Sequence, residues 1–298
     1  MDLDRLLGCL FGGAIGDCLG GAHEGKPSPR VVDWGAPWQL SDDTQLTLAT
    51  CEAIQEPRRV DPEVVAETFL RWFRARRLTG LGASTLKALR DLDIGVHWAL
   101  AGRKGEMAAG NGAAMRAAPL GFVLDPKAPG DRVVIRDVCR ITHHNDEAYA
   151  GALAVVFAVR HAITNRPAAI DDLVGSVVRQ LPDCVVRDRL FELSGGAFHS
   201  ISEVAAKLGS SGYVADSVPL ALFAAGQLEH IGFRTVLEEL VAVGGDTDTN
   251  AAIAGQVIGS AIGFSGLDDA SVERVPERDM IVTAGRALCE RVGIPTDQ

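Results

Sequence analysis

Gly244-Gly245-Asp246-Thr247-Asp248-Thr249-Asn250-Ala251-Ala252-Ile253-Ala254-Gly255-Gln256-Val257-Ile258-Gly259-Ser260-Ala261-Ile262-Gly263 is the stretch on which the reading of this chain turns. From 250 to 263 it is apolar on nearly every side of a helix and rich in Ala and Gly. A helix without a polar face is normally enclosed by other elements. Its small residues let neighbouring helices approach closely. In front of it, behind a Gly-Gly break, two carboxylates and two hydroxyls fall within the four residues 246–249. The acidic group therefore sits at a helix start.

A second segment has the same character at 146–164, with Ala148, Ala150, Gly151, Ala152 and Ala154. Around these two, apolar residues recur at three- and four-residue spacing near 45–55, 61–76, 84–93, 131–140, 170–180, 217–230, 233–242 and 277–292. The Val-rich pieces at 133–135, 177–178 and 185–186 lie inside helical windows and are not read as strands. The pattern predicts an all-α chain, a compact bundle of many helices with a site at helix ends on one face.

Ser41-Asp42-Asp43-Thr44 repeats the composition of the later cluster and again precedes a helical run, with Leu46, Leu48 and Ala49. Alone, either cluster reads equally well as a helix cap, because these side chains accept bonds from first-turn amides and complement the helix dipole. Two such clusters at one site would repel unless cations neutralised them. An all-oxygen set suits Mg²⁺ or Mn²⁺ rather than zinc. A site for two divalent cations is the expectation.

The 298 residues, 47% apolar and 23% charged, are ordinary for a soluble globular protein. No linker divides them, and a site built from both ends of the chain predicts one domain spanning 1–298. The formal charge of −10 speaks against broad affinity for nucleic acid or anionic membranes. Six scattered cysteines without a C-x-x-C pair read as buried reduced thiols, the N-terminal stretch is acidic where a signal peptide is basic, and no apolar run reaches spanning length. A cytoplasmic monomer is expected.

Other residues carry chemistry in context. Gly12 to Glu24 reads as a small-residue segment that tightens into a loop, with Asp17 in a structural hydrogen-bonding role. Glu24 is a solvated loop carboxylate on its own and a general-base candidate beside a cation. The Gly- and Pro-rich stretch 20–40 is the best candidate for a mobile lid. Gly110-Asn111-Gly112-Ala113-Ala114-Met115-Arg116 reads as a turn entering a helix, able to present amides to an anion, but it lacks the ending of a P-loop. His143 either bonds a ligand or holds a loop; zinc lacks further ligands at usable spacing. Tyr213, in a glycine loop, either stacks on a base or ribose or packs in the core.

Taken together these segments resemble the ADP-ribosylglycohydrolase family across nearly the whole chain: G-D-x-x-G-x-x-x-E from Gly16 to Glu24, S-D-D-T at 41–44, G-N-G-A-A-M-R at 110–116, T-H at 142–143, S-G-Y-V at 211–214 and G-G-D-T-D-T at 244–249, in matching order. The resemblance implies a compact orthogonal all-α bundle and two Mg²⁺ or Mn²⁺ ions held by Ser41, Asp42, Asp43, Asp246, Asp248 and Thr249. Ser41 stands where many members have Thr, and its hydroxyl serves equally. Glu24 matches the lid glutamate; Gly110, Asn111 and Gly112 match the diphosphate cradle; His143 and Tyr213 match positions near the ADP-ribose.

The implied reaction is hydrolysis of the bond from ribose C1″ of ADP-ribose to a protein side chain, arginine foremost, with Asp248 or Glu24 taking the proton of the attacking water. A catalytically silent ADP-ribose-binding protein, or a hydrolase of a free ADP-ribose derivative, is the alternative. All four cluster carboxylates and Glu24 are present, which favours the enzyme.

Overall fold

The structure, a computed structural model, describes residues 2–26, 28, 31–165 and 172–295. Its helices are α1 (Leu3–Gly21), α2 (Asp42–Ala53), α3 (Pro62–Arg74), α4 (Ala83–Asp93), α5 (Pro129–Arg140), α6 (Asp146–Thr164), α7 (Leu173–Val178), α8 (Val185–Ser194), α9 (Ile201–Leu208), α10 (Val214–Gly226), α11 (Leu228–Ala242), α12 (Thr247–Ile262), α13 (Asp269–Arg274) and α14 (Arg278–Val292). Among the described residues the only sheet is a two-residue parallel pair, β1 (Arg103–Lys104) beside β2 (His143–His144). The all-α expectation holds.

Helix α12 is buried along almost its whole length, as a helix without a polar face requires. It packs against α1, α6, α10 and α11, while α1 reaches α2 and α14 on its other side. The α1–α12 contact is made by glycines. A methyl group added at Gly8, Gly12, Gly16 or Gly20 would overlap the backbone at Gly259, Gly255, Ala251 and Thr247 respectively. Each step of four up α1 matches a step of four down α12, so the helices run antiparallel in fixed register, backbone to backbone. Arg5 locks the far end by donating to the carbonyls of Ala162, Ser260 and Ala261 at 3.0–3.1 Å.

The segment Gly12–Glu24, expected to tighten into a loop after a helical stretch around Asp17, is helical as far as Gly21. Glycine disfavours an isolated helix by about 1 kcal/mol per residue, but here its missing side chain is what lets two helices touch, and tertiary packing wins. The chain leaves helical geometry only after Gly21. Other differences are smaller. After Gly112 the chain makes turns and a 3₁₀ segment at Ala118–Phe122, not an α-helix. Helices α9 and α13 were not foreseen, and the expected stretch 217–230 divides between α10 and α11, whose break at Gly232, where φ is +77°, falls between the stretches expected at 217–230 and 233–242.

The far end of the expected lid is pinned. Trp34 Nε1 donates to Glu238 at 2.6 Å and its ring lies 4.1 Å from the Arg234 guanidinium. Arg274 donates to the Ala36 carbonyl at 2.8 Å and covers the Trp38 ring. Residues 34–38 are thus fastened to α11 and α13. Pro27 and Pro29, part of the same expected lid, lie outside the described residues, as do Ile170 and Asp171 of the helical stretch 170–180.

Candidate active site

Helix α1 is the common ruler that brings the two acidic helix starts together. Near its end, buried Asp17 accepts from the Ser41 N–H at 3.1 Å, the Thr44 N–H at 3.2 Å and the Thr44 hydroxyl at 2.5 Å. That fixes the start of α2. One turn on, the Thr247 hydroxyl donates to the Gly20 carbonyl at 2.8 Å, which fixes the start of α12. Asp17 spends its oxygens on these bonds, in keeping with a structural role.

The two starts differ in how they use their acids. Ser41 is a true cap of α2: its hydroxyl accepts from the Asp43 N–H and donates to Asp43 Oδ2, both at 3.2 Å. Asp246 occupies the cap position of α12 but makes no capping bond with its side chain. Its carboxylate instead accepts from Asn111 Nδ2 at 2.7 Å. The Thr249 hydroxyl crosses to Asp43 Oδ2 at 3.3 Å, so the clusters touch. Oxygens of Asp17, Asp43 and Asp248 lie within 4.8 Å of one another, and so do those of Glu24, Asp246 and Asp248.

Such crowding is costly for charged groups. Burial, then neighbouring Asp17, pushes Asp42 up to about 7. Burial, then Asp246 and Glu24, pushes Asp248 up to about 9. Asp43 is raised by burial and by Asp248, and Glu24 by partial burial and by Asp246. Asp43 Oδ1 is buried without any hydrogen-bond partner. An unpartnered carboxylate oxygen among hard oxygen donors fits divalent cations of the Mg²⁺ type.

Beside the acids opens a cleft of about 530 Å³ lined by Glu24, Asp42, Asp43, Gly110, Asn111, Gly112, His143, Asp246, Asp248 and Thr249. Ten of the twelve residues expected at the site thus share one wall. The other two stand apart: Ser41 lines an adjoining cavity, and Tyr213 sits outside the wall with its ring 5.7 Å from the Arg189 guanidinium. The backbone at Tyr213 still shapes the site, because Gly110 and Tyr213 form an antiparallel bridge in which the Asn111 N–H donates to the Gly212 carbonyl at 3.1 Å. No described residue accepts from the N–H groups of Gly112 and Ala113. A Cβ at Gly112 would lie 3.0 Å from the His143 ring, so only glycine leaves this turn open.

The sequence reading missed Gly80, Gly82, Ser84 and Thr85, which line the same cleft. Their Gly/Ser/Thr-rich spacing before α4 was the available signal. It also missed Ser210, whose carbonyl accepts from the Asp246 N–H and from Asn250 Nδ2, both at 2.9 Å, and so holds the second acidic cluster in place.

An acidic cleft at helix ends, with an open glycine turn beside it, has the parts of a hydrolase that acts on a phosphate-bearing glycoside. The chain belongs to the ADP-ribosylglycohydrolase family, whose model matches residues 1–296. It is 29% identical over 332 residues to the ADP-ribosylhydrolase ARH3 of Danio rerio, covering 94% of this chain and 89% of that one. It is also 29% identical over 305 residues to the ADP-ribosylarginine hydrolase Tri1 of Pseudomonas putida, covering 97% and 79%. A solved structure described as an ADP-ribosylglycohydrolase-related protein complex superposes with a TM-score of 0.72 at 26% identity, over 97% of this chain and 98% of that one. The chain is accordingly an ADP-ribosyl hydrolase, an enzyme that cleaves a glycosidic bond. Among the described residues no helix is long and apolar enough to cross a membrane.

Proposed function

We propose that this chain, acting as one domain over residues 1–298, removes ADP-ribose from modified arginine side chains of proteins with the help of two divalent cations, Mg²⁺ or Mn²⁺. The observation that carries the reading is the meeting of two acidic helix starts around a buried, unpartnered Asp43 oxygen. Ser41, Asp42, Asp43, Asp246, Asp248 and Thr249 would hold the cations. Bound there, the cations would offset the carboxylates and supply positive charge to polarise the ribose hydroxyls and water.

The chain's own residues do the rest. The Gly110–Asn111–Gly112 turn receives the diphosphate through free amides, with His143 beside it and Tyr213 at the rim. This places C1″ of the distal ribose near Glu24 and Asp248. Either carboxylate, ionised once the cations offset its neighbours, takes a proton from the water that attacks the oxocarbenium-like carbon. Glu24 is exposed at the mouth, where a carboxylate complements the planar guanidinium of a modified arginine. The arginine hydrolase among the similar proteins supports the same choice. Five buried free cysteines suit a reducing cytoplasm, and a monomer suffices for the site.

The test is a panel of ADP-ribosyl-arginine, ADP-ribosyl-serine, O-acetyl-ADP-ribose and poly-ADP-ribose, run with Mg²⁺ and after exhaustive chelation. Turnover of the arginine conjugate that vanishes on chelation and in Asp248→Ala is expected. Full activity without divalent cations ends the metal reading, and preference for another conjugate ends the arginine reading.

A further inference from the structure

Behind the glycine turn, Arg116, Thr142 and His143 form a buried row of side chains. Arg116 Nη2 donates to Thr142 Oγ1 at 2.7 Å and its Nε to the Gly112 carbonyl at 3.1 Å, with the guanidinium 4.7 Å from the centre of the Phe69 ring. Thr142 Oγ1 lies 2.7 Å from His143 Nδ1 and 3.5 Å from the Cys139 carbonyl. These distances decide where the protons are.

A guanidinium only donates, so Thr142 accepts from Arg116 and keeps its own hydrogen to give. Of its two possible acceptors, His143 Nδ1 is at the usual O–H distance while the Cys139 carbonyl is beyond it. A hydroxyl hydrogen directed to Nδ1 uses the shorter of these two contacts. A neutral imidazole that accepts at Nδ1 carries its own proton on Nε2. The ring is neutral: burial, then Arg116, Arg103 and His144, push His143 down to about 3. Its Nε2 has no partner among the described residues and faces the cleft, 3.3 and 3.4 Å from where a Cβ on Gly110 and on Gly112 would stand.

We propose that Arg116 and Thr142 are positioning residues that lock His143 in the Nε2–H form, aimed to donate a hydrogen bond to a diphosphate oxygen seated at Gly110–Gly112. The choice of diphosphate rests on the functional reading above; the tautomer does not. Arg116 also grips the Gly112 carbonyl, so one guanidinium sets both the turn and the ring behind it.

The test is ¹⁵N NMR of the Mg²⁺-loaded, histidine-labelled protein, with His143→Gln used for assignment, beside calorimetric titration with ADP-ribose. The expected parent spectrum has a protonated Nε2 and a bare Nδ1. Thr142→Val should mix the two tautomers and weaken ADP-ribose about tenfold, the effect of one lost bond to a charged acceptor. Thr142→Ser should restore both. A proton on Nδ1 in the parent overturns the proposal, as does a Thr142→Val protein with the parent's tautomer and affinity. If Thr142→Val does not fold, the parent spectrum and Thr142→Ser decide. An Nε2–H parent that ignores ADP-ribose would sink the functional reading and leave the lock standing.

Discussion

Asp42 and Asp248 hold protons far more tightly than free carboxylates, so the cation-free chain answers pH in an unusual direction. Their folded values, about 7 and about 9, stand above the ordinary 3.8. Between pH 4 and 9 these two groups therefore bind more protons in the folded chain than in the unfolded one, and the stability they contribute falls as pH rises. The contribution is full below pH 3.8 and lost through about 7 and then about 9. Thermal melts in chelator from pH 5 to 9 should show a declining midpoint that added Mg²⁺ flattens; a midpoint that climbs with pH in chelator contradicts this. Glu24→Gln should slow turnover by roughly 100-fold, as removal of a general base does, with Mg²⁺ affinity little changed. Parental speed in that variant would make Glu24 a bystander. At this scale the acids were legible because two carboxylates beside two hydroxyls are conspicuous wherever they stand. Gly80 and Thr85 were not, because their place depends on how distant segments meet.

The glycine ladder between α1 and α12 makes a sharp prediction at the scale of elements. In Gly12→Ala the new methyl meets the Gly255 carbonyl, backbone against backbone, with no side chain able to yield. The cost should be about 1–3 kcal/mol, with activity falling as the acidic starts separate. Gly21→Ala is the control: its nearest neighbour is 4.0 Å away, and stability should stay within about 0.5 kcal/mol. Equal melting points for the two variants would mean the ladder does not set the packing. Helices α6 and α12 could be read from periodicity because Ala outnumbers Gly in them. Helix α1 was legible only around Asp17: its glycines at every fourth position look like loop residues until a partner helix is supplied. Helices α9 and α13, at 8 and 6 residues, give periodicity little length to register.

For the molecule as a whole, the cations proposed for the cleft would tie the two acidic helix starts together, and mass action should make them a stabiliser. At a concentration 100 times Kd, one bound ion adds about 2.7 kcal/mol. Calorimetric scans should show Mg²⁺ or Mn²⁺ raising the melting temperature of the parent and much less that of Asp248→Ala; no rise in the parent would separate the acids from metal binding. Residues 34–38 stay tied to α11 and α13 beside that cleft. The α1–α12 pairing also has a consequence in time. Gly20 and Thr247 are 227 residues apart. A ribosome adding roughly 5–20 residues per second leaves α1 without its partner for about 10–45 seconds of each synthesis. Through that interval the nascent chain displays a bare glycine stripe and half a catalytic centre. It becomes an enzyme only once α12 has been made and has paired with α1.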